Sequence, residues 1–128
     1  MSKIVLDASA ILAIINQEPG HEKLTPAVLA EAVCSTVNLA EVHAKLVSRG
    51  WSASEAWEDA TSPIQEVIAF TAEQAQRSGD LVLHCKRLGL SLGDRACLAL
   101  AATLQCPVYT TDKAWKELKT PVKIYVLR

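Results

Sequence analysis

Short, uninterrupted apolar runs alternate along this chain with segments whose apolar residues recur at helical spacing, and that alternation leaves few ways to fold. Ile4-Val5-Leu6 is a β-branched and apolar run of the kind that reads as a strand buried on both faces, and residues 8–17 follow it with helical periodicity. The pattern repeats. A second strand is expected over residues 33–36 and a helix over 37–49, where Leu39, Val42, Leu46 and Val47 form an apolar stripe. A third strand over 64–69 is made less apolar by Gln65 and Glu66, a fourth covers 107–110, and a fifth covers 122–126. Strands that alternate with helices call for a parallel sheet wrapped on both sides, because right-handed crossovers are how parallel neighbours join. The predicted class is α/β, a three-layer α/β/α arrangement with a mostly parallel central sheet of four to five strands. With 128 residues, half of them hydrophobic, one domain over residues 1–128 with a single substantial core is expected.

Local signals punctuate the helices. Glu18-Pro19-Gly20 breaks the first, and Thr25-Pro26 reads as an N-cap with proline at the first helical position, starting a helix through residue 32. Gly50 stops the helix over 37–49, Ser52-Ala53-Ser54-Glu55 is a capping box for the next, and Pro63 ends it. Thr71 to Gln74 is a further capping box, and its helix is predicted to reach about residue 88, with Gly79 as a weak point and Gly89 as its stop. Ser91 caps a helix over 94–104 that is apolar on nearly every face and therefore belongs deep against the sheet. A short helix is expected over 113–118.

Composition narrows the classes. The longest apolar stretches fall far short of a bilayer span, and Met1-Ser2-Lys3 leads into a strand with no signal-peptide layout, so a soluble cytoplasmic protein is expected. Cys34, Cys85, Cys97 and Cys106 form no CxxC pair and read as core thiols. A net charge of −1 excludes a uniformly basic nucleic-acid binder. Lys113, Lys116, Lys119, Lys123 and Arg128 still crowd the end of the chain, either as a local basic rim or as ordinary solubilising charge. His21, His43 and His84 have no ligand spacing and are given surface or packing roles. Trp51, Trp57 and Trp115 could stack on bases, but a contact with a second protein suits Trp51 and Trp57, on and beside a short amphipathic helix, better.

Four acidic residues carry the chemistry. Asp7 closes the first strand, Glu41 lies in the opening turns of the helix after the second, Asp94 opens the deep apolar helix, and Asp112 follows the fourth strand. In an open parallel sheet, ligands bind outside the carboxyl ends of the strands, so these residues can converge although they are far apart in sequence. Each also has an ordinary explanation. Asp7 and Asp112 sit where an N-cap belongs, Asp94 is placed to complete a cap with Ser91, and Glu41 could pair with Lys45. Gathering them is costly: two carboxylates about 5 Å apart repel by about 3 kcal/mol at an effective dielectric of about 20. A cation would compensate that cost. Hard oxygen ligands without His or Cys favour Mg²⁺ or Mn²⁺ over zinc. Ser9, Asn38, Thr110 and Thr111 are placed to support such a site, although Ser9 and Asn38 serve equally well as capping or packing residues.

These residues resemble the PIN-domain nucleases, and among them the small single-domain toxins of VapBC toxin-antitoxin systems. The likeness lies in Ile4-Val5-Leu6-Asp7-Ala8-Ser9-Ala10, Asn38-Leu39-Ala40-Glu41-Val42, Leu90-Ser91-Leu92-Gly93-Asp94-Arg95-Ala96 and Tyr109-Thr110-Thr111-Asp112, all in order over the whole chain. The resemblance implies that Asp7, Glu41, Asp94 and Asp112 form the catalytic metal site, supported by Ser9, Asn38 and Thr110. It further implies metal-dependent endonucleolytic cleavage of RNA, inhibiting translation or growth. A homodimer and neutralisation by a cognate antitoxin, with a possible higher hetero-oligomer, are part of the same expectation. Arg95 is left open between a substrate phosphate, an acid of the site and a neighbouring helix.

Other readings remain beside it. A phosphatase of the haloacid dehalogenase type needs a second Asp two residues after the first, where this chain has Ser9. A nucleotide-binding module lacks both GxxxxGK[ST] and GxGxxG loops. A catalytically weak regulatory or RNA-binding module of the same fold, or an RNA-processing nuclease outside toxin-antitoxin systems, would keep the same four motifs.

Overall fold

A computed structural model describes residues 2–128; Met1, the first residue of the expected domain, lies outside the described residues. Five strands form one sheet in the order β3-β2-β1-β4-β5, and every pairing is parallel. The strands are β1 (Ile4–Leu6), β2 (Ala32–Ser35), β3 (Glu66–Ile68), β4 (Val108–Thr110) and β5 (Ile124–Val126). The helices are α1 (Ala8–Asn16), α2 (Pro26–Leu29), α3 (Thr36–Ser48), α4 (Ala53–Thr61), α5 (Ala72–Asp80), α6 (Val82–Cys85) and α7 (Leu92–Leu104). The predicted three-layer parallel architecture is therefore the observed one.

The period-two alternation of strand side chains divides the core between two faces. Ile4, Leu6, Ala32 and Cys34 pack with α1, α3 and α4 through Ile11, Leu39, Val42, Leu46 and Ala56. Val5, Val33 and Val108 point the other way and meet Cys97, Leu98, Leu100 and Ala101 of α7 together with Trp115. Helix α7 buries most of its residues, as its nearly unbroken apolar composition requires. All four cysteines are free and buried, Cys34 on the α1 side of the sheet and Cys97 and Cys106 on the α7 side. No helix among the described residues is long and apolar enough to cross a membrane.

Caps set the boundaries, and several differ from expectation. Helix α7 starts at Leu92, not Asp94, because Ser91 and Asp94 form a complete capping box two residues earlier. Ser35, the last residue of β2, also caps α3, so that strand runs one residue earlier than predicted. Helix α2 closes at Leu29 as the chain turns into β2, and residues 113–117 form a 3₁₀ helix instead of an α-helix. The helix expected to run to residue 88 is broken. Leu81 closes α5 by donating to the Arg77 carbonyl just past Gly79, and α6 with a 3₁₀ turn (Lys86–Leu88) follows. The break lets Leu81 pack against the α7 side of the core while Leu83 faces water at 83% exposure.

Truncation tests this layering. Leu100→Ala removes a side chain with no solvent exposure and is expected to cost on the order of 2–5 kcal/mol in urea unfolding, whereas Leu83→Ala stays within about 0.5 kcal/mol.

Candidate active site

The carboxyl ends of β1, β2 and β4 lie at one edge of the sheet, and at most two residues separate each of them from the helical turn that follows. Asp7 stands at the middle of that edge. It is the N-cap of α1, with Oδ1 accepting from the Ala10 amide at 2.8 Å and from Ser9 Oγ at 2.7 Å. Its Oδ2 accepts from Thr110 Oγ1 at 2.6 Å, which ties the end of β1 to the end of β4. The two hydroxyls are themselves fixed by backbone donors: Thr111 N–H donates to Ser9 Oγ at 3.0 Å, and Asp112 N–H donates to Thr110 Oγ1 at 3.1 Å. Each hydroxyl thus takes a hydrogen bond from β4's exit and passes its own proton toward Asp7. Thr111 contributes through its backbone.

Asp7 is 4% exposed, and burial lifts its pKa to about 6. Hydrogen bonds from Thr110, Ser9 and Ala10 pull the other way, and the negative charge of Asp94 adds to the rise. The same charges reach the core below. Burial pushes the Cys34 thiol up to about 12, with Asp7 and Glu41 contributing.

Glu41 sits on α3 one turn after Asn38. The Asn38 amide donates to Glu41 Oε1 at 3.2 Å and to the Gly93 carbonyl at 3.0 Å, so it joins α3 to the opening turn of α7. Asn38 is buried, and its Oδ1 has no hydrogen-bond partner among the described residues. Asp94 completes the capping box, its Oδ2 accepting from the Ser91 amide at 3.0 Å. Asp112 caps the 3₁₀ helix, its Oδ1 accepting from the Ala114 amide at 2.9 Å.

Three of the acids therefore cap, as their positions allow, and the hydrogen bonds assemble two groups. Asp7, Ser9, Thr110, Thr111 and Asp112 form one network, and Asn38, Glu41 and Gly93 form the other. Asp94, next to Gly93, links them through its charge on Asp7. Among the described residues, no three His, Cys, Asp or Glu side chains close on a common point where an ion could be held. Repulsion favours this arrangement, since carboxylates bonded to separate N–H donors avoid the cost of crowding.

The donor set nonetheless fits a hard divalent cation. All the candidate ligands are oxygens, the caps engage one oxygen each on Asp94 and Asp112, and Asp7 Oδ2 takes a single hydrogen bond. The unpaired Asn38 Oδ1 adds a buried acceptor.

The remaining candidates fall outward or inward. Arg95 Nη1 donates to the Ser78 carbonyl at 3.0 Å and so fastens α7 to α5, the last of the three roles left open for it. Trp115 is fully buried against the sheet, which overturns base stacking for that residue. Trp51 packs partly on the α1 side of the core with its Nε1 donating to Asp59 at 2.8 Å. Trp57 is 51% exposed on α4, edge-on to His43 with ring centroids 5.6 Å apart. His21 bonds the Glu18 carbonyl and His84 is exposed. Gly93 drew no functional reading from sequence, although a glycine inside the first turn of a helix was the available signal.

Comparison with known proteins identifies a family and a shared fold. The profile of one family, the PIN domain, matches residues 4–121. Among proteins with curated descriptions, none matches the sequence significantly. The fold is similar to the DNA-bound VapBC of Salmonella typhimurium, with a TM-score of 0.76 at 16% identity and 100% of each chain covered. It is also similar to VapBC2 of Rickettsia felis bound to a promoter DNA fragment, with a TM-score of 0.73 at 17% identity, 96% of this chain and 97% of that one. VapC20 of Mycobacterium tuberculosis, a sarcin-ricin-loop-cleaving toxin, gives 0.71 at 19% identity over 94% and 99%.

The raised pKa of Asp7 has a testable sign. Between about pH 4 and 6 the folded protein holds a proton on Asp7 that the unfolded chain has released, so stability falls as pH rises through that window. Urea unfolding in EDTA is expected to lose on the order of 3 kcal/mol from this group across the window, relative to Asp7→Asn, which lacks the titration.

Proposed function

The chain belongs to the PIN-domain family, and from that premise we propose that it is a divalent-metal-dependent endoribonuclease, the toxin of a VapBC-type toxin-antitoxin pair. The observation that carries the reading is the Asp7 carboxylate, buried at the carboxyl end of the central strand, held by three donors and within reach of the Asp94 charge. A carboxylate placed there without a cation to serve is a cost to the fold.

Asp7, Glu41, Asp94 and Asp112 would hold Mg²⁺, or Mn²⁺ in its place, with Ser9, Asn38, Thr110 and Thr111 fixing their orientation. A bound ion would supply charge neutralisation at the scissile phosphate and a lowered pKa for a water nucleophile. The chain's own part is positional. Ser9 and Thr110 hold the plane of the Asp7 carboxylate, and Asn38 holds Glu41 to the start of α7. The exposed Lys113, Lys116 and Lys119, directly after Asp112, suit the backbone of a nucleic-acid strand. RNA as the substrate draws support from the sarcin-ricin-loop cleavage by the M. tuberculosis relative.

The VapBC likenesses support a protein antitoxin as partner, and the exposed Trp57 and Val47 on α4 and α3 offer apolar contact area for that partner or for a second copy in a homodimer. We place the pair in the cytoplasm, where RNA is translated. The runner-up is a PIN-fold RNA-binding or regulatory module with little turnover, favoured by the capping bonds that occupy Asp94 and Asp112.

One assay separates the two. Cleavage of total cellular RNA by the purified chain in Mg²⁺ or Mn²⁺ is expected, stopped by EDTA, and reduced by at least about a hundredfold in Asp7→Asn and Asp94→Asn with folding kept. Full activity in either variant refutes the site assignment, and no metal-dependent cleavage by the wild type favours the binding module.

A further inference from the structure

We propose that Gly93 is a positioning residue of the acidic centre: the space left by its missing side chain is the seat that holds the Glu41 carboxylate against the opening turn of α7. The inference rests on the reading that Glu41 serves a metal centre, and it adds a residue to which that reading gives no role.

Gly93 is the second residue of α7 and is buried. A Cβ at this position would lie 2.6 Å from Glu41 Cδ and 2.8 Å from Oε2, and nearer still to Oε1. Its three nearest atoms would all belong to one carboxyl group, so the space is shaped for that group alone. Asn38 closes the seat from the side, with its amide bonded to both the Gly93 carbonyl and Glu41 Oε1. Electrostatics assist, because the opening turn of a helix presents unpaired N–H groups and a partial positive charge to an anion.

The consequence is separable from stability. The clash falls on the far end of a flexible side chain and not on backbone, so alanine at 93 can be accommodated by swinging the Glu41 carboxylate away. Alanine is also the better helix former. Folding is then preserved while the ligand leaves its place. Gly79, also helical, provides the contrast: a Cβ there would meet nothing within 4 Å.

The test is Mn²⁺ binding by calorimetry on the whole chain without RNA, beside thermal unfolding in EDTA, for the wild type, Gly93→Ala, Gly79→Ala and Glu41→Gln. Gly93→Ala is expected to weaken Mn²⁺ binding about tenfold or more with Tm unchanged or raised, while Gly79→Ala binds as the wild type. Wild-type affinity in Gly93→Ala together with lost affinity in Glu41→Gln overturns the seat and leaves the metal centre standing. Wild-type affinity in Glu41→Gln as well removes Glu41 from the metal centre, and the seat's function with it. Should Gly93→Ala lower Tm, the same change in a Glu41→Ala background is expected to cost nothing; a cost that persists there overturns the proposal.

Discussion

A carboxylate taken out of water at the end of the central strand is the constraint around which this structure is arranged. Asp7 could not be buried at the β1–α1 junction unless its oxygens were paired, and the donors come from two sources: the Ala10 amide and Ser9 hydroxyl of its own helix, and the Thr110 hydroxyl at the end of β4. Those bonds do more than satisfy charge. They join β1 to β4 at the sheet edge and start α1, so the acid that is expensive to bury also organises the elements around it. Desolvation outweighs donation, and the net rise to about 6 leaves a group that a cation or a proton can claim.

The two explanations open for these acids, capping and metal binding, do not exclude one another. A cap uses one carboxylate oxygen, as in Asp94 Oδ2 and Asp112 Oδ1, and the second oxygen stays available. Capping holds three of the carboxylates near the edge at little cost, the Asn38 amide holds Glu41, and these separate N–H donors offset the mutual repulsion of four negative groups. Polar residues beside the acids extend this logic, since Ser9, Thr110 and Asn38 each receive or give bonds that fix orientation before any ligand arrives.

The solved relatives share the architecture at 16–19% identity and TM-scores above 0.7. Architecture tolerates such divergence because apolar volume and strand-helix alternation are enough to specify it. Chemistry does not follow from architecture alone; it depends on the carboxylates and the groups that hold them.

Much was legible in the sequence by itself. Buried strands such as Ile4-Val5-Leu6, the caps at Thr25, Ser52, Thr71 and Ser91, the deep apolar helix and the four acids at strand–helix junctions all follow from short-range patterns, because period, capping and turn chemistry act over a few residues. Tertiary structure decided what depends on long-range packing. It broke the helix after Asp80 so that Leu81 could pack against α7, buried Trp115, and sent Arg95 to Ser78. It also set Gly93 opposite Glu41, a contact between residues that no local pattern relates, because only the crossing of α3 and α7 brings the carboxylate to a place where a side chain is missing.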